Sequence, residues 1–188
     1  MIVLETSLTH VIQGCLLGQR KAQETLYKLF AAKMLGVCMR YATDKMEAED
    51  MLQNGFIKVF GKLNDFKNEG SFEGWIRRIM VHSAIEYYRK HHKMIQLVEL
   101  ETSGAEQAVN SVAACSLEAK DLLAIIQTLP PGYRMVFNLY AIEGYSHKEI
   151  GEIMNISEGA SKSQLSRART ILKEKVNKTE GAKYENFG

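Results

Sequence analysis

The chain has 188 residues, 46% of them hydrophobic and 24% charged, and a formal net charge of +2 from 24 Lys and Arg against 22 Asp and Glu. That is ordinary globular composition, enough for one compact domain or two small ones, and it excludes wholesale disorder. No apolar run of about 18 residues is present to cross a membrane, and the start Met1-Ile2-Val3-Leu4-Glu5 lacks the basic and long apolar regions of a secretion signal. The expectation is an intracellular, cytoplasmic protein with no membrane insertion. Cys15, Cys38 and Cys115 are odd in number and far apart, and His10, His82, His91, His92 and His147 show no ligand spacing. Neither a disulfide framework nor a metal site is expected, and the cysteines read as small core residues.

The only prolines are Pro130 and Pro131, so nothing of that kind interrupts a helix before them. Leu8, Val11, Ile12 and Leu16 recur at helical spacing. So do Leu26, Leu29, Phe30, Met34, Val37, Cys38 and Tyr41, with Gly18 between the two runs. A third helix carries Leu52, Phe56, Val59, Phe60 and Leu63 after an Asp44 to Glu47 capping pattern. Turn residues from Asn64 to Gly70 break the period. Ser71 then opens a fourth helix running to about His92. From Gln96 to Asp121 the pattern dissolves among Glu99, Glu101, Thr102, Ser103, Gly104, Glu106 and Asn110, which reads as a flexible acidic linker.

Leu122, Leu123, Ile126 and Leu129 mark the next helix, and Pro131 suits the first turn of the one after it, whose stripe is Val136, Phe137 and Tyr140. Ser146-His147-Lys148-Glu149 is a capping box opening a short helix with Ile150, Ile153 and Met154 inward. Asn155-Ile156-Ser157 turns the chain into a last helix with Leu165, Ala168, Leu172 and Val176 inward. The fold class is therefore all-α: two small helical domains joined by a linker. The boundaries are 1–94, a linker over 95–116, a second domain over 117–178 and a tail over 179–188.

Three surfaces carry information. The last two helices have the lengths of a helix-turn-helix, and Lys162, Ser163, Ser166, Arg167, Thr170 and Lys173 face outward on the second. Short polar groups at a helix start with arginines behind them suit base edges and phosphates; the alternative is a solvated polar face. On the fourth helix Arg77, Arg78, Arg89, Lys90 and Lys93 alternate with Trp75, Tyr87, Tyr88 and His82. Basic and aromatic side chains so mixed suit distorted or single-stranded DNA, although Trp75 is better placed as core. The third helix shows Asp44, Glu47, Glu49, Asp50, Gln53 and Asn54, which on pattern alone is a solvated face. No phosphate loop, nucleophile arrangement or paired carboxylates point to catalysis, and no cofactor is implied.

Taken together these residues resemble the extracytoplasmic-function class of bacterial RNA polymerase sigma factors, over about residues 12–176. Ala48-Glu49-Asp50-Met51-Leu52-Gln53-Asn54-Gly55-Phe56 is similar to the family's A-E-D-L-V-Q-E-T-F, and Gly70-Ser71-Phe72-Glu73-Gly74-Trp75-Ile76-Arg77-Arg78-Ile79 to its G-S-F-R-G-W-L-R-R-I. The run from Leu129-Pro130-Pro131 through Ser146-His147-Lys148-Glu149 to Arg167-Ala168-Arg169 is similar to its region four. The resemblance implies a sigma region 2 and a sigma region 4, and a subunit that binds core RNA polymerase, directs it to promoters and helps open the DNA, with no chemistry of its own.

By that resemblance Asp50, Gln53 and Asn54 contact the clamp coiled coil of the polymerase. Asn64, Phe66, Ser71, Phe72, Arg77, Arg78, His82 and Arg89 handle the minus-ten element, with the loop over 64–72 receiving a flipped base. Lys148, Ser157, Glu158, Lys162, Ser163, Gln164, Arg167 and Arg169 bind the minus-thirty-five duplex, and region four also meets the polymerase flap. Within that set, Lys162 and Ser163 are expected to reach bases or the nearest phosphates, and Arg167 and Arg169 to meet backbone or their own lobe. Asn54 stands where glutamate is usual, His82 where asparagine is, Ser161 where valine is and Gln164 where arginine is. The acidic linker would suit a nucleic-acid mimic along the polymerase path, and an anti-sigma protein is a candidate regulator. The competing reading is a stand-alone helix-turn-helix regulator whose amino-terminal lobe senses a ligand or dimerises.

Overall fold

The computed structural model describes residues 2–99 and 119–185, with side chains placed over 8–91 and 121–177. Among the described residues the regular structure is helical: α1 (Ile2–Leu16), α2 (Arg20–Met39), α3 (Lys45–Gly61), a 3-10 turn (Leu63–Asp65), α4 (Phe72–Glu99), α5 (Ala119–Gln127), α6 (Pro131–Phe137), a π-turn (Asn138–Ile142), α7 (His147–Met154) and α8 (Glu158–Glu185). No described helix is long and apolar enough to cross a membrane. The expected linker lies outside the described residues from residue 100 onward, as does Cys115. Residues 95–99 instead continue α4, which runs past His92 because no Gly or Pro occurs between Trp75 and Glu99.

The described residues fall into two compact units. One holds those up to Cys38 together with Lys45–Ala84, and the other holds Met39–Asp44 together with those from Ile85 onward. In the first unit α2 contributes Leu26, Phe30, Met34 and Val37 to the core, α3 Met51, Leu52, Phe56 and Val59, and α4 Phe72, Ile76, Met80 and Val81. These are the apolar positions at three- and four-residue spacing, and each fully buried large side chain stabilises the fold by about 1.5–3 kcal/mol. Gly55 lets α3 approach α4 closely, since a Cβ there would overlap the Met80 sulfur. Cys15 and Cys38 are buried, and burial pushes the Cys15 thiol up from its ordinary value.

The second unit packs Ile126, Leu129, Met135, Val136, Leu139, Ile150, Met154, Leu165 and Ala168 into its core. It also buries polar groups. Arg134 is 2% exposed; its Nη1 donates to the Gln127 carbonyl at 2.8 Å and its Nη2 to Thr43 Oγ1 at 3.0 Å. Asn138 donates to the Arg40 carbonyl at 2.7 Å, and Gln127 to the Met39 carbonyl at 2.9 Å. The backbone carbonyls of Met39 and Arg40 are thus answered by amide side chains, as buried polar groups require. After Phe137 the helix widens by one residue, with the Glu143 N–H donating to the Asn138 carbonyl at 3.0 Å. Gly144, at a φ of +79°, then ends it.

Candidate nucleic-acid interface

On α3, Asp50, Gln53 and Asn54 are all exposed. The Asn54 amide donates to the Asp50 carbonyl one turn back at 2.9 Å, and Lys45 and Glu49 pair at 3.5 Å beside them. Met46 and Ile57 recur on the same helix four residues either side of Asp50 and Gln53, and are 72% and 69% exposed. The two bare apolar side chains flanking a polar centre were not anticipated from the sequence.

The stretch between α3 and α4 is anchored from within. Leu63 is buried, and Phe66 sits 4.9 Å from Phe72 and 5.5 Å from Trp75, with Phe72 also against Phe30 at 5.6 Å. This aromatic cluster pins both ends of the loop, while Asn64 and residues 67–71 stay exposed. Asn68 and Gly70 take positive φ, so the backbone turns sharply there. Ser71 caps α4, its Oγ accepting from the Gly74 N–H at 3.1 Å. Phe72 is only 5% exposed and Trp75 is half-buried, so both belong to the packing. Along α4, Arg78, His82 and Arg89 are exposed and Arg77 is half-buried. Tyr87 stacks on His91 at 4.0 Å, whereas Tyr88 is half-buried with its phenol pushed up by desolvation.

The helix-turn-helix is built by local rules. The Ser146 Oγ accepts from the Glu149 N–H at 3.3 Å, while the Glu149 carboxylate accepts from the Ser146 N–H at 2.8 Å and from its hydroxyl at 2.6 Å. Those bonds hold the Glu149 carboxyl below its ordinary value. Asn155 ends α7 in the left-handed region, and the Ile156 N–H donates to the Gly151 carbonyl at 3.0 Å. A Cβ at Gly151 would lie 2.9 Å from the Ile156 carbonyl oxygen, so the tight turn needs glycine there. Ser157 caps α8, accepting from the Ala160 N–H at 3.0 Å.

On α8, Lys162, Ser163, Ser166, Arg167, Arg169, Thr170 and Lys173 are exposed, with Leu165 and Ala168 buried behind them. Glu158 pairs with Lys162 at 2.6 Å, and that lysine holds the carboxyl low. Arg167 donates to the Tyr133 hydroxyl at 3.1 Å, and the Arg169 guanidinium lies 5.6 Å over the Tyr140 ring. Both arginines therefore have partners within their own unit. Gln164 is half-buried, its Oε1 without a hydrogen-bond partner among the described residues. Lys148 is exposed on α7.

Sequence reasoning passed over one further grouping. His147 Nδ1 lies 2.9 Å from the hydroxyl of Ser161, which is wholly buried, and Tyr140 stacks on the imidazole at 4.5 Å with 20° between the rings. Beside them runs a groove of about 340 Å³, bordered by His147, Lys162, Ser166, Arg169, Thr170 and Lys173 over Leu165. The two partners lie 14 residues apart, so no local pattern signals their pairing. No cluster able to hold a metal occurs among the described residues.

The described residues thus present an acidic helix α3, a basic and aromatic helix α4 and a helix-turn-helix of α7 and α8. Residues 26–94 match the family described as Sigma-70 region 2, and residues 119–172 match Sigma-70, region 4. The chain is 31% identical to the ECF RNA polymerase sigma factor SigM of Bacillus subtilis over 157 residues, covering 82% of this chain and 95% of that one. It is 28% identical to the ECF RNA polymerase sigma-E factor of Escherichia coli, covering 85% and 88%. In fold it is similar to the sigma factor RpoE of Bartonella quintana, solved in complex with the anti-sigma factor NepR, with a TM-score of 0.50, 21% identity and coverage of 82% and 96%. The chain belongs to the ECF family of RNA polymerase sigma factors. It is a promoter-directing subunit whose partners are core RNA polymerase and promoter DNA.

Proposed function

We propose that the work is divided by surface. The α3 face of Asp50, Gln53 and Asn54 docks on the clamp coiled coil of core polymerase. The exposed loop residues Asn64 and Ser71, with Arg77, Arg78, His82 and Arg89 of α4, receive the minus-ten strand. Phe66 and Phe72 hold that loop in place. Opening costs a few kcal/mol per flipped base, and capture against this surface offsets it. The minus-thirty-five duplex is bound by α8 with Lys148 of α7: Lys162, Ser163 and Gln164 nearest the bases, Arg167 and Arg169 on backbone, and Ser157 and Glu158 setting the helix start. The same unit meets the polymerase flap. The protein works by binding alone, in the cytoplasm where polymerase and chromosome are. An anti-sigma protein that covers these surfaces is its regulator, a reading supported by the partner of the Bartonella quintana relative.

The observation that carries the proposal is the exposed polar and basic face of α8 behind a capped, glycine-turned α7. Transcription in vitro with core polymerase tests it. The chain should convert core enzyme into a promoter-specific holoenzyme, and failure to associate with core would overturn the reading. Lys162→Ala and Ser163→Ala should shift preference at single base positions by about 1–3 kcal/mol, while Arg167→Ala weakens all sequences alike.

A further inference from the structure

We propose that the groove between the start of α7 and the outer face of α8 seats one backbone phosphate of the promoter duplex, with His147 as a neutral hydrogen-bond donor aimed by Ser161. The inference rests on the reading of α8 as the minus-thirty-five surface and adds to it a site that extends beyond the recognition turn to the start of α7. Three observations carry it. The groove is rimmed by Lys162, Arg169 and Lys173 with the hydroxyl of Ser166, a set that suits a phosphodiester oxygen far better than a base edge. Glu158 answers one of these charges by pairing with Lys162, which leaves Arg169 and Lys173 to face an anion. The first helix of such a pair crosses the DNA backbone, which is where His147 stands, at the first position of α7.

The buried hydroxyl decides which proton the imidazole carries. Ser161 is fully enclosed, and His147 Nδ1 is its hydroxyl's hydrogen-bond partner among the described residues. A buried hydroxyl proton left without an acceptor is costly, so Ser161 donates to Nδ1, and Nδ1 is the bare nitrogen. The ring proton is then on Nε2, which makes that nitrogen a donor without requiring protonation of the ring. Tyr140, stacked on one face, fixes the ring plane. A valine at 161 would supply no such proton and would leave the ring's orientation to packing alone.

The test uses holoenzyme reconstituted with the full chain, on a promoter duplex recovered from random-sequence DNA, with each minus-thirty-five phosphate replaced in turn by an uncharged methylphosphonate. In the wild type one replacement near the α7 start should weaken binding, and in His147→Ala and Lys173→Ala that same replacement should cost less. His147→Ala should lose roughly three- to tenfold in affinity on every sequence. A neutral donor leaves the salt slope unchanged, whereas Lys173→Ala should lower it by about 0.9. His147→Gln, which keeps a donor, should recover part of the loss, and Ser161→Ala should reproduce part of it. Nitrogen chemical shifts of the imidazole should place the proton on Nε2. A proton on Nδ1, a salt slope lowered by His147→Ala, or a phosphate map unchanged by both variants would overturn the proposal. If Lys162→Ala and Ser163→Ala still shift base preference, the groove alone falls; if they do not, the minus-thirty-five reading falls with it.

Discussion

Phe72 and His82 share α4 and divide its two tasks. Phe72 is 5% exposed among Phe30, Phe66 and Trp75, so Phe72→Ala should lower unfolding free energy by about 3–5 kcal/mol, read in urea titrations, with loss of promoter opening as a consequence of the disordered loop. An unchanged urea midpoint would contradict that role. His82 is exposed one turn beyond Arg78. A neutral imidazole offers one donor and one acceptor, as an asparagine amide does on a base edge. His82→Asn should therefore shift preference among minus-ten substitutions and His82→Ala should flatten it, measured by promoter opening on each variant template. Equal opening on every template by both variants would make His82 structural. That Trp75 packs was legible in its spacing beside Ile76 and Ile79. The pairing of Arg167 with Tyr133 was not, because a contact spanning 34 residues leaves no local pattern.

At the scale of the element, local chemistry was read well wherever it alone fixes the backbone. The Ser146 and Glu149 capping box, the Ser71 cap and the inward set Leu165 and Ala168 were all legible and are all present. The π-turn after Phe137 and the extension of α4 to Glu99 were not, since neither carries a capping or breaking residue of its own. The capping box also has a pH signature. Glu149 titrates below its unfolded value because Ser146 bonds favour the carboxylate. A lowered folded pKa stabilises above the unfolded value of about 4.3 and loses that contribution as pH falls through the folded pKa. Urea midpoints should therefore decline on acidification below about pH 4.5, and Ser146→Ala should flatten the part of that decline owed to Glu149. Identical acid limbs for the two proteins would rule out the box as its source.

Across the whole molecule, a net charge of +2 conceals opposite surfaces: an acidic α3 and basic faces on α4 and α8. Near-neutrality suits a subunit delivered to DNA by polymerase better than a solitary DNA binder. Because Asp50 and Lys162 belong to different units, their effects should be separable. Asp50→Ala should weaken association with core polymerase and leave the base preference of the surviving holoenzyme intact, and Lys162→Ala should do the reverse. In the double variant the free-energy losses should add within about 0.5 kcal/mol, measured by core association and promoter binding in parallel. A larger coupling would mean that the two surfaces act as one.

The enclosed thiols of Cys15 and Cys38 give the first unit a built-in clock. Thiolate is the reactive form, and burial both hides Cys15 and disfavours its ionisation. An alkylating reagent can therefore reach either sulfur only when the surrounding helices part, so peptide-resolved labelling counts openings of the native protein. Timed with and without core polymerase, that count would report how much of this unit's breathing the clamp suppresses.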